Sequence, residues 1–268
     1  MTVETTAILI LAGVFGTVIG SFLNVVIWRV PRGESIVRPG SACPQCGRPI
    51  AWYDNLPIIS YLVLRGRCRH CSARISVRYP LVELGTGLGF AIVVWGAIAG
   101  RYPIAIVPLL LYWVAIGIAL ALIDLDHHRL PNVLTLPAYP VTAVLLVLAS
   151  VLTGEHGRLL IAAAGLAILG VFYLSLALGS RGGMGFGDVK LAGSLGLLLG
   201  WLGWSQLLVG AFSAFVIGGL VGVVLMIARR AGRKSRLPFG PFMLVGAWVG
   251  VFAGPAIADV YLTATGLA

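Results

Sequence analysis

The chain has 268 residues, of which 59% are hydrophobic and only 10% are charged, and its mean hydropathy is +1.00. A soluble domain carries about 25% charged residues, so this composition excludes a soluble globular enzyme, a disordered tail protein and a secreted disulfide scaffold. The formal net charge is +10. No basic run is interleaved with aromatic side chains, so we expect no nucleic-acid partner.

Apolar runs near 20 residues long predict about eight transmembrane helices, and thus an all-α polytopic membrane protein embedded in the lipid bilayer. In chain order the runs are 6–28, 81–98, 103–123, 133–152, 159–178, 189–204, 207–228 and 239–262. The sixth run is short and rich in glycine. The one substantial extramembrane region is the loop 29–80.

These runs divide the chain into five predicted parts. They are the first transmembrane helix (1–28), a cytoplasmic loop domain (29–80), the second transmembrane helix (81–102), a helical core (103–228), and a basic loop with the last helix (229–268).

The basic residues predict the orientation of the chain. Seventeen of the 19 Lys and Arg residues lie in or beside four connections on one side, and only Arg101 and Arg158 lie on the other. Because positive residues stay in the cytoplasm, both termini are expected outside. No Lys or Arg precedes Arg29, so the first span is expected to be a retained signal-anchor and not a cleaved signal.

Four cysteines form two Cys-x2-Cys pairs in the cytoplasmic loop. They are Cys43, Cys46, Cys68 and Cys71. Two such pairs are typical of a closed structural zinc site, because together they supply the four thiolates of a tetrahedron. Reduced cytosolic thiols disfavour disulfides. The alternatives are two redox pairs or unligated thiols. His70 could replace one cysteine, although a solvated histidine is favoured.

Aspartates at the ends of two spans are the candidate catalytic groups, because ionisable residues at membrane depth are costly and usually functional. Asp124 and Asp126 end the third span, and Asp188 begins the sixth, 64 positions after Asp124. The predicted topology puts all three on the cytoplasmic face. Two carboxylates held close share one proton, so one can activate water while the other donates a proton in peptide hydrolysis.

The pair must include Asp188, because residues at i and i+2 of a helix do not face each other. The glycines of Gly185-Phe186-Gly187 allow backbone or substrate to approach it closely. From these residues alone the partner is either Asp124 or Asp126. The alternatives are that Asp188 is a helix N-cap and that the other two are ordinary charges at the end of a span.

Several motifs occur in order along nearly the whole chain. They are GSFLNVVI at 20–27 followed by RVP at 29–31, the two cysteine pairs with RGR at 65–67, ISVRYPLVE at 75–83, and GFGD at 185–188. In these motifs the chain resembles the bacterial type IV prepilin peptidases. These are leader peptidases and N-methyltransferases of type IV pilus and type II secretion systems.

The resemblance implies which aspartates are catalytic. The family places its first catalytic aspartate seven residues before the proline of a Pro-Asn or Pro-Asp pair, so Pro131 makes this residue Asp124. The second is the aspartate of GxGD, which is Asp188. The segment 103–228 would then be the GxGD aspartyl peptidase core.

The resemblance also implies a substrate, a cofactor and a location. The substrates would be prepilins and pseudopilins, cut after a glycine at the cytoplasmic face of the bacterial inner membrane. The new amino terminus would then be methylated with S-adenosylmethionine. Gly66 and Glu83 are candidates for binding this donor, and a turn glycine and an interfacial acid are their alternative interpretations. The alternative functions are another GxGD peptidase without methyl transfer, or a non-enzymatic zinc-bearing scaffold or transporter.

Overall fold

The computed structural model describes residues 2–179, 184–228 and 237–266. Nine α-helices lie within these residues: α1 Val3–Arg29, α2 Ile59–Val63, α3 Arg78–Ile98, α4 Val107–His127, α5 Asn132–Thr153, α6 Gly157–Gly179, α7 Phe186–Leu202, α8 Trp204–Ile227 and α9 Gly240–Thr265. Short 3-10 turns occupy Val30–Arg32, Trp52–Asn55 and Ile104–Ile106. The described part of the chain contains two isolated β-bridges and no strand.

The predicted all-α membrane architecture is confirmed. Within the described residues, seven helices are long and apolar enough to cross a bilayer. The predicted sixth span is α7, which has 17 residues and is thus shorter than the other seven. Its first residue is Phe186, three residues before the predicted start, because the glycine-rich approach is already helical there.

The chain divides into two compact units. The first comprises Met1–Gly100 with Leu110–Ala119. In this unit α1 packs along α3, and glycines allow the two backbones to approach closely. A Cβ on Gly16 would lie 2.8 Å from Gly87 Cα, and one on Gly20 would lie 2.7 Å from Glu83 Cα. This contact places Glu83 of α3 directly against Gly20 of α1.

The second unit comprises Arg101–Leu109 with Leu120–Ala268. Here α6 packs along α7 and α8 along α9, again through glycines such as Gly165 against Gly196 and Gly210 against Gly246. Helix α5 also contacts α7, and buried Trp201 donates a 2.7 Å hydrogen bond to Ser150 at that seam. The packing places the end of α4 next to the first turns of α5, α7 and α9.

Candidate active site

The four predicted metal ligands converge in the first unit. The Sγ atoms of Cys43, Cys46, Cys68 and Cys71 all lie within 4.8 Å of one another. The Cys43 and Cys71 sulfurs are 3.8 Å apart. Zinc–sulfur bonds of about 2.3 Å set the edge of a tetrahedron at about 3.8 Å. The cluster therefore has the dimensions of a tetrahedral metal site.

Both cysteine pairs have the same backbone structure, which explains why they converge. In each, the residue after the second cysteine has a left-handed φ, +68° at Gly47 and +57° at Ser72. Its N–H donates to the carbonyl of the first cysteine, Cys43 or Cys68. A β-bridge then closes each turn. Backbone N–H groups of Cys46 and Gln45 lower the pKa of the Cys43 thiol to about 6.

The second cysteine pair is also tied to the preceding 3-10 turn. Arg69 donates two hydrogen bonds to Asp54, and this ion pair holds the pKa of Asp54 below its usual range. His70 Nδ1 lies 3.2 Å from Arg48 Nη1. The imidazole is thus hydrogen-bonded to a side chain outside the sulfur cluster.

The two residues considered for the methyl donor have clear local roles. Buried Glu83 accepts a 2.7 Å hydrogen bond from the N–H of Ile58, and its backbone packs against Gly20 of α1. Gly66 has φ +66°, and a Cβ there would lie 2.9 Å from the ring of Tyr61. Glu83 therefore holds the loop against α1 and α3, and Gly66 is a turn glycine covered by an aromatic ring.

Asp124 lies in the last turn of α4, in the second unit. Its side chain is only 4% exposed, and Oδ2 accepts a 3.1 Å hydrogen bond from the N–H of Gly240. That N–H belongs to the first residue of α9, where backbone N–H groups have no partner within the helix. The start of α9 therefore holds the Asp124 carboxyl group in place.

Asp188 lies in the first turn of α7. It is not the N-cap, which is Gly185; Asp188 is the third helical residue, and its Oδ2 accepts a 3.2 Å hydrogen bond from the Gly185 N–H. The N-cap interpretation of Asp188 is thus wrong in position, because α7 begins earlier than the apolar run. The carboxylate still caps the helix start from within.

The structure brings Asp124 and Asp188 together. The two residues are close enough for the charge of Asp124 to act on Asp188, and the side chain of Leu130 packs against Gly187, which precedes Asp188, and against Gly240, which binds Asp124. A Cβ on Gly187 would lie 3.1 Å from Leu130 Cβ, and one on Gly240 would lie 3.3 Å from Leu130 Cδ2. Oδ1 of either carboxyl group accepts no hydrogen bond within the described residues. Such a pair can bind one water molecule and one shared proton.

Asp126 is placed differently. It lies two residues after Asp124 on α4 and is exposed, as are His127 and His128. The helix continues through His127, so the two aspartates leave the helix in different directions, as the i and i+2 argument predicts.

Sequence reasoning missed the groups that surround the two carboxyls. The Gly240 N–H comes from α9, and Leu130 comes from the turn between α4 and α5. Neither has a chemical signature in the sequence: one is a backbone donor and the other an ordinary apolar side chain. Only Gly240-Pro241 at the start of an apolar run marks a helix start where such a donor is available.

Two protein-family models match separate parts of the chain. Residues 14–97 match the bacterial peptidase A24 N-terminal domain, and residues 109–223 match the type IV leader peptidase family. A prepilin leader peptidase/N-methyltransferase of Aeromonas hydrophila is 34% identical over 93% of this chain and 92% of its own length. The chain belongs to the type IV leader peptidase family.

Further relatives agree with that membership. Proteins with the same name from Pseudomonas aeruginosa and Neisseria gonorrhoeae are 34% and 36% identical, over 94% and 89% of this chain and over 92% and 88% of their own lengths. No solved structure matches the chain. The A24 N-terminal domain contains all four cysteines, and the leader peptidase region contains both Asp124 and Asp188.

Proposed function

We propose that the chain is an aspartyl endopeptidase that removes the short basic leader of type IV prepilins and pseudopilins, and that it then methylates the new amino terminus. One observation supports the peptidase proposal: Asp124 and Asp188, 64 positions apart in the chain, lie in the second unit close enough for the charge of one to act on the other. The names of the relatives, prepilin leader peptidase/N-methyltransferase, support the substrate and the second reaction.

The two carboxyl groups act as one acid–base unit. Backbone N–H groups fix Oδ2 of each residue, so the Oδ1 atoms can hold water and the shared proton. The ionised carboxylate takes a proton from the water as it attacks the scissile carbonyl, and the protonated one donates to the carbonyl oxygen. Collapse of the tetrahedral intermediate then returns the proton to the leaving amine.

The charge distribution supports cleavage at the cytoplasmic face of the bacterial inner membrane. Asp124 and Asp188 lie next to the connections that carry 17 of the 19 basic residues. By the positive-inside rule these connections and the cysteine loop face the cytoplasm, and both termini lie outside. We also propose the division of the chain that the apolar runs predict: a first span (1–28), a loop domain (29–80), a second span (81–102), a peptidase core (103–228) and a C-terminal part (229–268).

The direct test of the peptidase uses the full chain in membranes with a model prepilin that carries a basic leader and an apolar helix. We expect mass spectrometry to find the leader removed after its last glycine. An intact substrate, with the enzyme correctly inserted, would contradict the proposed function.

Gly240→Ala should impair this reaction. The added Cβ would lie 2.7 Å from Asp124 Oδ2, so the carboxyl group must move off the Gly240 N–H. A lost hydrogen bond to a charged group costs about 1.5–3 kcal/mol, which corresponds to a rate about 10- to 100-fold lower. Gly219→Ala is the matched control, because nothing lies within 4 Å of that position. Equal rates in both variants would remove Gly240 from the site.

We propose that the four cysteines hold one structural zinc ion. Four thiolates leave no open coordination position for water, so the metal would stabilise the loop and take no part in cleavage. The proximity of the four sulfurs supports this assignment, since all lie within 4.8 Å of one another and those of Cys43 and Cys71 are 3.8 Å apart.

S-adenosylmethionine is the proposed methyl donor. The first unit contains a cavity of about 460 Å³ between α1 and the cysteine loop, within the usual size range of ligand sites. Arg29, Ser21 and Asn55 line it and offer a cation and polar groups to an amino-acid ligand. Glu83 packs against Gly20, the neighbour of Ser21 in the chain, and so lies beside this wall. Gly66 and Glu83 stay candidates for the donor site, with Glu83 acting through the wall.

Methyl transfer should be separable from cleavage. We expect Asp188→Asn enzyme to transfer a labelled methyl group from S-adenosylmethionine to a synthetic mature pilin, because that substrate already has its new amino terminus. The measurement is label incorporation and the mass of the amino-terminal peptide. No transfer by either the variant or the unmodified enzyme would leave only the peptidase.

A further inference from the structure

Lys190 connects the helices that carry the two carboxyl groups. It lies on α7, two residues after Asp188, and its Nζ donates a 2.8 Å hydrogen bond to Oδ1 of Asn132, the first residue of α5. At this position the ammonium group is directed towards α5, in keeping with the rule that residues two apart do not share a helix face.

A second contact fixes the same two helices in register. The hydroxyl of Tyr139 on α5 donates a 2.6 Å hydrogen bond to the main-chain carbonyl of Lys190. Gly193, one turn further along α7, leaves room for the Tyr139 ring, since a Cβ there would collide with the hydroxyl. The first two turns of α7 are therefore held against α5 from both the side chain and the backbone of Lys190.

Asn132 is in turn close to Asp124 along the chain. The short connection from α4 to α5 contains Leu130, whose side chain packs against Gly187 and Gly240. Gly187 immediately precedes Asp188, and the Gly240 N–H binds Asp124. The Lys190–Asn132 bond thus links the segment that follows Asp124 to the helix turn that carries Asp188.

We propose that Lys190 is a positioning residue, which acts through Asn132 to set the separation and orientation of the Asp124 and Asp188 carboxyl groups. This inference rests on the proposed peptidase function. It differs from a direct role, in which the ammonium charge would act on the substrate or on a carboxylate. Asn132 then has a function as well, although an amide side chain performs no chemistry in this reaction.

The test is a double-mutant cycle in the full-length enzyme, with Lys190→Met, Asn132→Ala and the combined variant. Each single change should lower kcat for leader cleavage by about 10- to 100-fold with KM within about twofold, since a misplacement of 1 Å can cost that much. The combined variant should be no worse than either single variant, because both changes remove the same interaction. Additive losses would overturn the proposal and indicate a direct role for the Lys190 charge.

The pH dependence of kcat separates positioning from a general loss of stability. Two carboxyls that share a proton give a bell-shaped profile, whose limbs approach each other as the groups move apart. We expect the bell to narrow equally in Lys190→Met and in Asn132→Ala, although only the first change removes a charge. If both limbs of the profile move to higher pH in Lys190→Met alone, the ammonium charge acts directly on the carboxyl groups, which would contradict the inference.

Asn132→Asp is the conservative control, because it keeps an acceptor oxygen for Lys190 and should retain most of kcat. Cleavage by the unmodified enzyme is measured in parallel. If that enzyme is inactive, the proposed function fails. If it is active and Lys190→Met cleaves at the same rate, only the positioning role fails.

Discussion

Asp188→Asn is expected to abolish leader cleavage, and Asp124→Asn to do the same, with both variants still inserted in the membrane. General acid–base catalysis by a positioned side chain contributes about 10²- to 10⁴-fold, and an amide can neither accept the proton of water nor donate one in return. Because the two residues act as a unit, the double variant should be no slower than either single variant. Initial rates of prepilin cleavage in membranes measure all three.

Asp126→Asn is the matched control for this experiment. Asp126 lies on the same helix, two residues from Asp124, but it is exposed whereas Asp124 is 4% exposed. We expect this variant to keep at least partial activity. Full activity in Asp124→Asn together with loss in Asp126→Asn would transfer the first catalytic role to Asp126.

Replacing one cysteine of the proposed zinc site is expected to destabilise the loop domain strongly. Metal analysis of the purified chain should find one zinc ion, and Cys43→Ser should lose it. Structural zinc contributes about 10–16 kcal/mol of apparent folding free energy in small zinc domains, far more than surface contacts supply. We therefore expect limited proteolysis to cut the segment 29–80 of Cys43→Ser, and of chelator-treated enzyme, much faster than that of the zinc-bound enzyme.

His70→Ala controls for the identity of the ligands. His70 lies between Cys68 and Cys71 in the sequence, but its ring contacts Arg48. Its removal should therefore leave the zinc content at one per chain. If His70→Ala lost the metal and one cysteine variant kept it, histidine would be the fourth ligand. A metal-free preparation that resists proteolysis as well as the zinc-bound enzyme would contradict the structural role.

Helix α7, which carries the proposed catalytic residue Asp188, is short but packs very closely against its neighbours. Gly196 and Gly200 of α7 meet the backbone of α6 directly, and Gly193 receives Tyr139 of α5. Small residues let helices approach until backbone atoms touch. Asp188 is thus carried by a helix that is restrained on two sides.

Much of this protein is determined by local sequence. Apolar runs predict the spanning helices because crossing the hydrocarbon core of a bilayer takes about 20 apolar residues. Two Cys-x2-Cys pairs predict a metal cluster because each short turn already brings its own two sulfurs together, as the matching backbone conformations at Gly47 and Ser72 illustrate. Helix periodicity likewise predicts that a catalytic pair must include Asp188, because Asp124 and Asp126 do not face each other on one helix.

Spacing alone does not distinguish Asp124 from Asp126 as the partner of Asp188, and it is the family resemblance that favours Asp124. Burial of Asp124, exposure of Asp126 and the hydrogen bond from Gly240 depend on how α4 is rotated against α9, a helix more than 100 residues away. The bond between Lys190 and Asn132 likewise depends on the register of α5 against α7. Helix rotation and register result from the packing of side chains distant in sequence, and no local pattern of residues records them.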